Sequence, residues 1–472
     1  MNGLTTAFRD LINAPKGILT DPQEQISYAT GARHDQGRAA LVLRPETTAE
    51  VSAVLVCAAA QNITVIPQSG NTGLVSGSTP DDSGEQIILS LDRMNTVFDL
   101  NLRNRSVRVG AGMRLSELNA RLEPHGLFFP VDLSADPMIG GMIATNTGGS
   151  RFLRYGDVRG NALSLTVVLA DENGTTLTCG SDLRKNNAGV DWKHVFIGTS
   201  GAFGVVTEAV LNLEPLPRHA ATALLIPTSP EHTSDILARL ERMLGARLSA
   251  FEGISGAAAR HALDHSPSLR NPFVGGVVPD FMIMVEASQS WDLRDGEPSL
   301  DDTLESCLAE IFEEDAALLM DALMGRPEEI WALRHALSEG VKAAGHLYAF
   351  DLSFDRGVLC DFLAFMRRDL PQHYPDLEIC DFGHFGDGGV HFNLVRPAGP
   401  GDATYEAALR QHVSDICVRQ FGGSFSAEHG IGRKTQTSYD RYTPDQIKQL
   451  ADGLKSITSP APLGAARFGT QS

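Results

Sequence analysis

The sequence predicts an α+β protein of two or three packed units, on three observations. Its 472 residues exceed one ordinary domain, helix-period and strand-period segments alternate along the chain, and a proline pair, Pro215 and Pro217, punctuates that alternation near the middle. A balance of 42% hydrophobic and 21% charged residues is that of folded globular protein.

In the first half, a capping box from Thr47 to Glu50 starts a helix in which Val51, Val54, Leu55 and Ala58 recur at helical spacing. A strand over 63–67 follows and ends at a Gly/Ser/Asn loop. Further strands fit 86–91 and 106–110, then a short helix carrying Leu115, Leu118 and Leu122, a glycine-rich loop over 140–149 and an apolar run over 163–170. The unit closes near Pro215 and Pro217.

The second half reads as strand 222–226, helix 230–244, strands 248–254 and 281–287, helices 304–312 and 328–344, strand 346–354, helix 358–370 and strand 377–382. Helices interspersed with neighbouring strands predict an antiparallel sheet covered on one side. Helices near 403–421 and 444–454 finish the chain. The expected division is an N-terminal segment 1–36, a first domain 37–217, a second domain 218–415 and a C-terminal segment 416–472 that returns to the first.

The 39 basic and 58 acidic residues give a formal charge of −19, which repels phosphate backbones and anionic lipid, so no nucleic-acid partner is expected. The start, MNGLTTAFRDLINAPKG, lacks a basic region followed by an apolar stretch, and the run around 51–60 is too short to span a bilayer. The expectation is a soluble, cytoplasmic protein that is not membrane-spanning. Cysteines 57, 179, 307, 360, 380 and 417 are scattered without a CxxC pair, which predicts buried free thiols.

PQSGNTGLVSG (67–77) and IGGMIATNTGGS (139–150) concentrate glycine beyond what turns need. Glycine lets backbone N–H groups approach and face an anion, which is how a pyrophosphate is held without charged side chains. One such stretch alone is better explained by a surface turn. Two in one domain, with GTSGAFG (198–204) as a third, favour a nucleotide cofactor. A dinucleotide fingerprint at Gly110-Ala-Gly112 fails, because Leu115 stands at its third glycine position.

Pro67-Gln-Ser-Gly-Asn-Thr-Gly73, Pro137-Met-Ile-Gly-Gly141 with Ala144-Thr-Asn-Thr-Gly-Gly149, and Gly201-Ala-Phe-Gly204 occur in that order. The series resembles the FAD-binding segments of the vanillyl-alcohol-oxidase/p-cresol-methylhydroxylase superfamily, and within it the D-lactate, D-2-hydroxyglutarate and glycolate dehydrogenase branch. The likeness runs from about residue 37 to 440. It implies a two-subdomain FAD-binding domain of the p-cresol-methylhydroxylase type over 37–217 and an α+β cap domain with an antiparallel sheet over 218–415. The cofactor contacts it implies are Pro67, Gln68, Ser69, Gly70, Asn71, Thr72, Gly73, Gly77, Pro137, Gly140, Gly141, Thr145, Asn146, Gly148, Gly149, Gly201, Gly204 and Val206. Members that tether the flavin through the first loop carry a histidine there; residues 67–77 contain none, so noncovalent FAD is expected.

A second constellation is CDFGHFGDGGVHFNLV, with His384, Asp387, His391 and Asn393, followed by SFSAEHGIGRK, with Glu428 and His429. On a strand Val390, Phe392 and Leu394 point one way and His391 and Asn393 the other, and the glycine-rich turn can fold His384 back towards His391. Two histidines and a carboxylate with open positions suit a catalytic divalent metal, whereas any one histidine alone is better read as a hydrogen-bonded structural residue. The family resemblance implies His384, His391 and Glu428 as metal ligands, His429 as catalytic base and Asn393 as a substrate contact, with zinc or manganese as the metal. Gly389 departs from the asparagine usual in the family. The segment IWALRHALSEGVKAAGHLYAFDLS matches the family's substrate-tail region: Arg334 and Ser338 share a helix face, and Arg334 is either a substrate carboxylate partner or a surface arginine. Ala349 falls where 2-hydroxyglutarate-using members carry lysine. The ending SPAPLGAARFG departs from the family's Asn-Pro-Gly-Lys, so no cofactor contact is carried over from it.

The resulting expectation is FAD-dependent oxidation of a D-2-hydroxy acid, with hydride passing to the flavin and the hydroxyl proton to His429. The partners implied are a small-molecule 2-hydroxy acid and an electron acceptor that is a quinone, an electron-transfer flavoprotein or a cytochrome; a homodimer is compatible. Alternatives are a D-2-hydroxyglutarate dehydrogenase, an oxygen-using hydroxyacid oxidase, a noncatalytic flavoprotein subunit of a larger oxidase complex, and a flavin-free metallohydrolase, which would leave the three glycine stretches unexplained.

Overall fold

The structure, a computed structural model, describes residues 2–470 apart from 13, 14, 34 and 134. It divides into two compact units: residues up to 148 with 157–215 and the return segment from 428 onward, and residues 149–156 with 216–427. The second unit thus takes up a short piece of chain from within the first half.

In the first unit, Ala39–Leu43, Gln86–Ser90 and Val65–Gln68 form a parallel sheet in that order, with Ile18–Leu19 antiparallel at its edge. The helix Thr48–Ala60 starts at the expected capping box: Thr47 Oγ1 accepts the Glu50 N–H at 3.2 Å and Glu50 Oε2 accepts the Thr47 N–H at 3.3 Å. Its Val51, Val54, Leu55 and Ala58 are buried against Leu41, Leu43, Ile87 and Leu89. A second, antiparallel sheet orders Phe98–Asn101, Ser106–Gly110, Val205–Asn212, Ala162–Val168 and Thr176–Gly180. The glycine-rich stretch expected as a loop over 140–149 begins as a helix, Ile139–Thr145. Glycine is needed there for space: a Cβ on Gly140 would lie 2.7 Å from the Ala111 Cβ and 2.8 Å from Ser69 Oγ. Tertiary packing thus overrides the weak helix propensity of glycine.

The second unit is an antiparallel sheet in the order Leu319–Gly325, His219–Pro227, Phe281–Gln289, Leu248–Ser255, Phe382–Gly383, Gly389–Arg396 and His346–Ser353, with Glu378–Ile379 also paired to Gly389–Arg396. It is covered on both faces, not one as expected. The helices Thr233–Leu244, Leu300–Glu314, Leu359–His373 and Ala403–Asp415 pack on one face, and Gly256–His265 with Pro327–Ala343 on the other. Phe281–Gln289 and Leu248–Ser255 are buried at every position, the continuous pattern of strands sandwiched between two layers. Gly256–His265 and the edge strand Leu319–Gly325 are absent from the sequence reading. The strand expected over 377–382 is split, because Asp381 turns inward, fully buried, to accept two hydrogen bonds from Arg367 Nη2 at 2.8 and 3.0 Å. The last turn of the helix expected over 403–421 is π-helical, Ile416–Gln420. Among the described residues no helix is long and apolar enough to cross a membrane, and five of the six cysteines are buried free thiols, Cys57 being half-buried.

Candidate functional site

In the first unit the three glycine stretches converge. A Cβ on Gly70 would lie 3.0 Å from the Met138 backbone N, and one on Gly201 3.2 Å from the Pro67 ring. Asn71, Ser76, Asn146 and Ser200, all within or beside these stretches, adopt left-handed φ of 52°, 58°, 55° and 50°. Residues other than glycine hold that conformation at a cost of order 1–3 kcal/mol each, and such strain concentrates at ligand-holding sites. Side chains stiffen the loops: Gln68 Nε2 donates to the Tyr28 and Ser78 carbonyls at 2.8 and 2.7 Å, Asn71 Nδ2 to the Thr30 carbonyl at 2.8 Å, and Asn146 Nδ2 to Asp157 Oδ2 at 2.8 Å. These amides are scaffold for the backbone. The return segment joins them, with Ser200 Oγ donating to the Ile431 carbonyl at 2.6 Å and Arg433 Nη2 to Thr79 Oγ1 at 2.9 Å.

In the second unit the structure brings His384 and His391 together. Their ring centroids are 5.3 Å apart at 79°. The turn between them is closed by Asp387, whose Oδ1 accepts the Gly389 N–H at 3.0 Å, while the same N–H faces the His384 carbonyl at 3.0 Å. The expected alternation holds on Gly389–Arg396: Val390, Phe392 and Leu394 enter one core, and His391 is half-buried. Each imidazole has a carboxylate beside it. His384 Nδ1 lies 2.7 Å from Glu252 Oε1, and His391 Nδ1 lies 3.7 Å from Oδ1 of Asp351, the residue directly opposite on the neighbouring strand. Asp351 also accepts the Ala427 N–H, through Oδ2 at 3.1 Å, and Glu428 and His429 follow Ala427 directly in the chain.

Arg334 is not a surface residue: it is 4% exposed and its Nε donates to Glu252 Oε2 at 2.6 Å, with its guanidinium 5.1 Å from the Phe382 ring centroid. Ser338, one turn on, is exposed, so burial separates the two residues expected to act together. Asn393 is buried and lies opposite Ala349. Burial alone would raise the Glu252 carboxyl, but the charges and hydrogen bonds of His384 and Arg334 outweigh it and hold the group down at about 2.

Glu252 and Asp351 were not singled out from the sequence, nor was another buried carboxylate, Glu286, which accepts from Arg151 Nε and Nη2 at 2.9 Å, Ser249 Oγ at 2.6 Å and Trp331 Nε1 at 2.7 Å. A signal for all three was present: each is the one acid in a strand rich in apolar residues, where an unpaired buried charge would be prohibitive.

Residues 39–180 match the family described as FAD binding domain, and residues 216–461 that described as FAD linked oxidases, C-terminal domain. The mitochondrial D-2-hydroxyglutarate dehydrogenase of Danio rerio is 34% identical over 456 residues, covering 96% of this chain and 82% of that protein. The D-2-hydroxyglutarate dehydrogenase of Xanthomonas citri pv. viticola is 32% identical, covering 88% and 86%. Among solved structures, p-cresol methylhydroxylase with substrate bound superposes with a TM-score of 0.74 at 14% identity over 98% of this chain and 95% of that one, a likeness of fold.

Proposed function

Because the chain belongs to the FAD-linked oxidase family, we propose how its own residues carry out the FAD-dependent oxidation of a D-2-hydroxy acid to the 2-oxo acid. The protein is an FAD-dependent oxidoreductase. The observation that carries the assignment of roles is the His384–His391 pair, two imidazoles 5.3 Å apart with one ring held at Nδ1 by a buried carboxylate.

The converging glycine stretches hold the FAD noncovalently, and their strained left-handed residues fit a backbone shaped to a ligand. His384, His391 and Glu428 are the protein ligands of a divalent cation, zinc or manganese; the converging imidazoles, each with a carboxylate beside it, fit such an ion. When bound, the flavin accepts a hydride and the cation makes the substrate hydroxyl easier to deprotonate. His429 removes that proton, a task imidazole suits near neutral pH. Asn393 contacts the substrate, with Ser338 at the edge of the tail region, and Arg334 supports a carboxylate through its Nη groups. The electron acceptor that would reoxidise a bound flavin is a quinone, an electron-transfer flavoprotein or a cytochrome, and a homodimer is compatible with this function. A cytoplasmic location is also proposed, although the name of the Danio rerio relative places that protein in the mitochondrion.

The substrate proposed is a D-2-hydroxy acid with a neutral or apolar side chain. Ala349 supplies no cation, and the Nε of Arg334 is already taken by Glu252. A second reading, D-2-hydroxyglutarate, is favoured by the names of the relatives.

The test is the visible spectrum of the purified protein, without oxygen, before and after adding a panel of D- and L-2-hydroxy acids. Bleaching of the flavin by D but not L acids, with the yellow chromophore released by acid precipitation, is the expected result. A chromophore that no 2-hydroxy acid bleaches would refute it.

A further inference from the structure

Glu252 stands at the centre of the second unit's sheet, on Leu248–Ser255, with 1% of its side chain exposed. Each oxygen has one strong partner: Oε1 is 2.7 Å from His384 Nδ1 and Oε2 is 2.6 Å from Arg334 Nε. The partners come from separate elements, the turn after Phe382–Gly383 and the helix Pro327–Ala343. A buried carboxylate placed this way does two things. It accepts a hydrogen bond from a proton held on Nδ1, and in that tautomer the ring's lone pair is on Nε2, the atom a cation would take. It also has its charge matched by the Arg334 guanidinium, so the imidazole need not be protonated to neutralise it. The aromatic wall is shared, since the Phe382 ring lies under Arg334 at 5.1 Å and beside His391 at 5.5 Å.

We infer that Glu252 is a positioning residue that orients His384 in its Nδ1-protonated form as a metal ligand, with Arg334 as its built-in counter-ion. The inference rests on the proposed ligand role of His384. It also gives Arg334 a first duty inside the protein, ahead of any substrate contact. Glu286, on the adjacent strand and just as buried, holds Arg151, Ser249 and Trp331 and no histidine, which makes it a matched control for loss of a buried carboxylate.

The experiment is a competition titration of zinc against a chromophoric chelator, on purified flavoprotein of the parent, E252Q, E286Q, H384A and E252Q/R334M, with bound flavin and melting temperature as measures of folding. H384A should lose tight zinc binding. E252Q should weaken zinc about 10- to 100-fold, the usual effect of removing a carboxylate behind a histidine ligand, whereas E286Q should lower the melting temperature and leave zinc affinity within twofold. E252Q matching the parent while H384A loses zinc overturns the inference and spares the ligand reading. H384A matching the parent overturns the ligand reading, and with it the inference. An equal weakening in E286Q and E252Q also overturns the inference, because it assigns the effect to the fold. If E252Q fails to retain flavin, E252Q/R334M, which removes both buried charges together, carries the test: parent-like zinc affinity in it overturns the role of Glu252, and a weakening of about tenfold or more sustains it.

Discussion

Gly253→Ala is a change of one methyl group, and its consequence can be worked out from the contact it makes. A Cβ at Gly253 would lie 2.6 Å from three ring atoms of Phe385, where carbon atoms at optimal separation sit at about 3.5–4.0 Å. The ring must therefore retreat by about 1 Å, and it has little room, being 2% exposed and packed against Phe281 at 5.7 Å between centroids. The turn itself is held to the strand by the Gly386 N–H on the Phe251 carbonyl at 3.0 Å and by the pairing of Gly253 with Gly383. Retreat of Phe385 pulls its neighbour His384 away from Glu252. Overpacking of this kind costs about 1–3 kcal/mol, and a misplacement of about 1 Å at a catalytic group can lower kcat/KM about 100-fold. Differential scanning calorimetry and steady-state kinetics with the best D-2-hydroxy acid measure the two effects. Phe385→Leu in the Gly253→Ala background should recover much of both, since a smaller side chain removes the clash. A Gly253→Ala protein with the parent's melting temperature and kcat/KM, or one that Phe385→Leu makes worse, would refute the reasoning.

His384→Ala, His391→Ala and Glu428→Ala should each lower metal content measured by atomic emission, whereas His429→Ala should keep the metal and lose turnover; a His429→Ala protein that alone empties the site contradicts the assignment. Ala349→Lys should raise kcat/KM for D-2-hydroxyglutarate relative to D-2-hydroxybutyrate by about tenfold or more, since hydrogen bonds to charged groups contribute about 1.5–3 kcal/mol; a parent that already prefers the diacid tenfold, or a variant with no shift, tells against a neutral substrate tail. Burial raises the Glu286 carboxyl, but Arg151, Ser249 and Trp331 together hold it below its ordinary value, so its contribution is fully present above the unfolded pKa of about 4.3 and is lost as pH falls from there through the lower folded value. Glu286→Gln should therefore cost about 3–5 kcal/mol near neutral pH, less near pH 3, and flatten the acid limb of a urea-midpoint profile; an unchanged acid limb would exclude Glu286 as its source.

Much of the fold was legible because local signals agreed with it. The Thr47–Glu50 box, the run Val51 to Ala58 and the alternation from Val390 to Leu394 each encode an element and the face it buries. Legibility failed where distant packing outranked local preference. The glycines of Ile139–Thr145 read as loop, yet at Gly140 the closeness of Ala111 and Ser69 leaves room only for glycine on a helix. The strand over 281–287 and the helix over 328–344 were legible, but that this helix and Gly256–His265 cover a second face of the sheet, and so bury Phe281–Gln289 at every position, was not.

For the site, residue type and spacing set which chemistry was present. Glycine stretches without a histidine, and imidazoles, amides and acids in a recurring order, are properties of residue type and spacing, and spacing of a few residues fixes geometry through the short reach of a turn or strand. Which charges meet depends on the fold. Glu252 lies 132 residues from His384 and 82 from Arg334 in the chain, and no local rule couples positions so far apart. They meet because a carboxylate buried in the middle of a sheet must find compensating charge or forfeit its burial, and the fold delivers that charge from two elements the sequence presents separately.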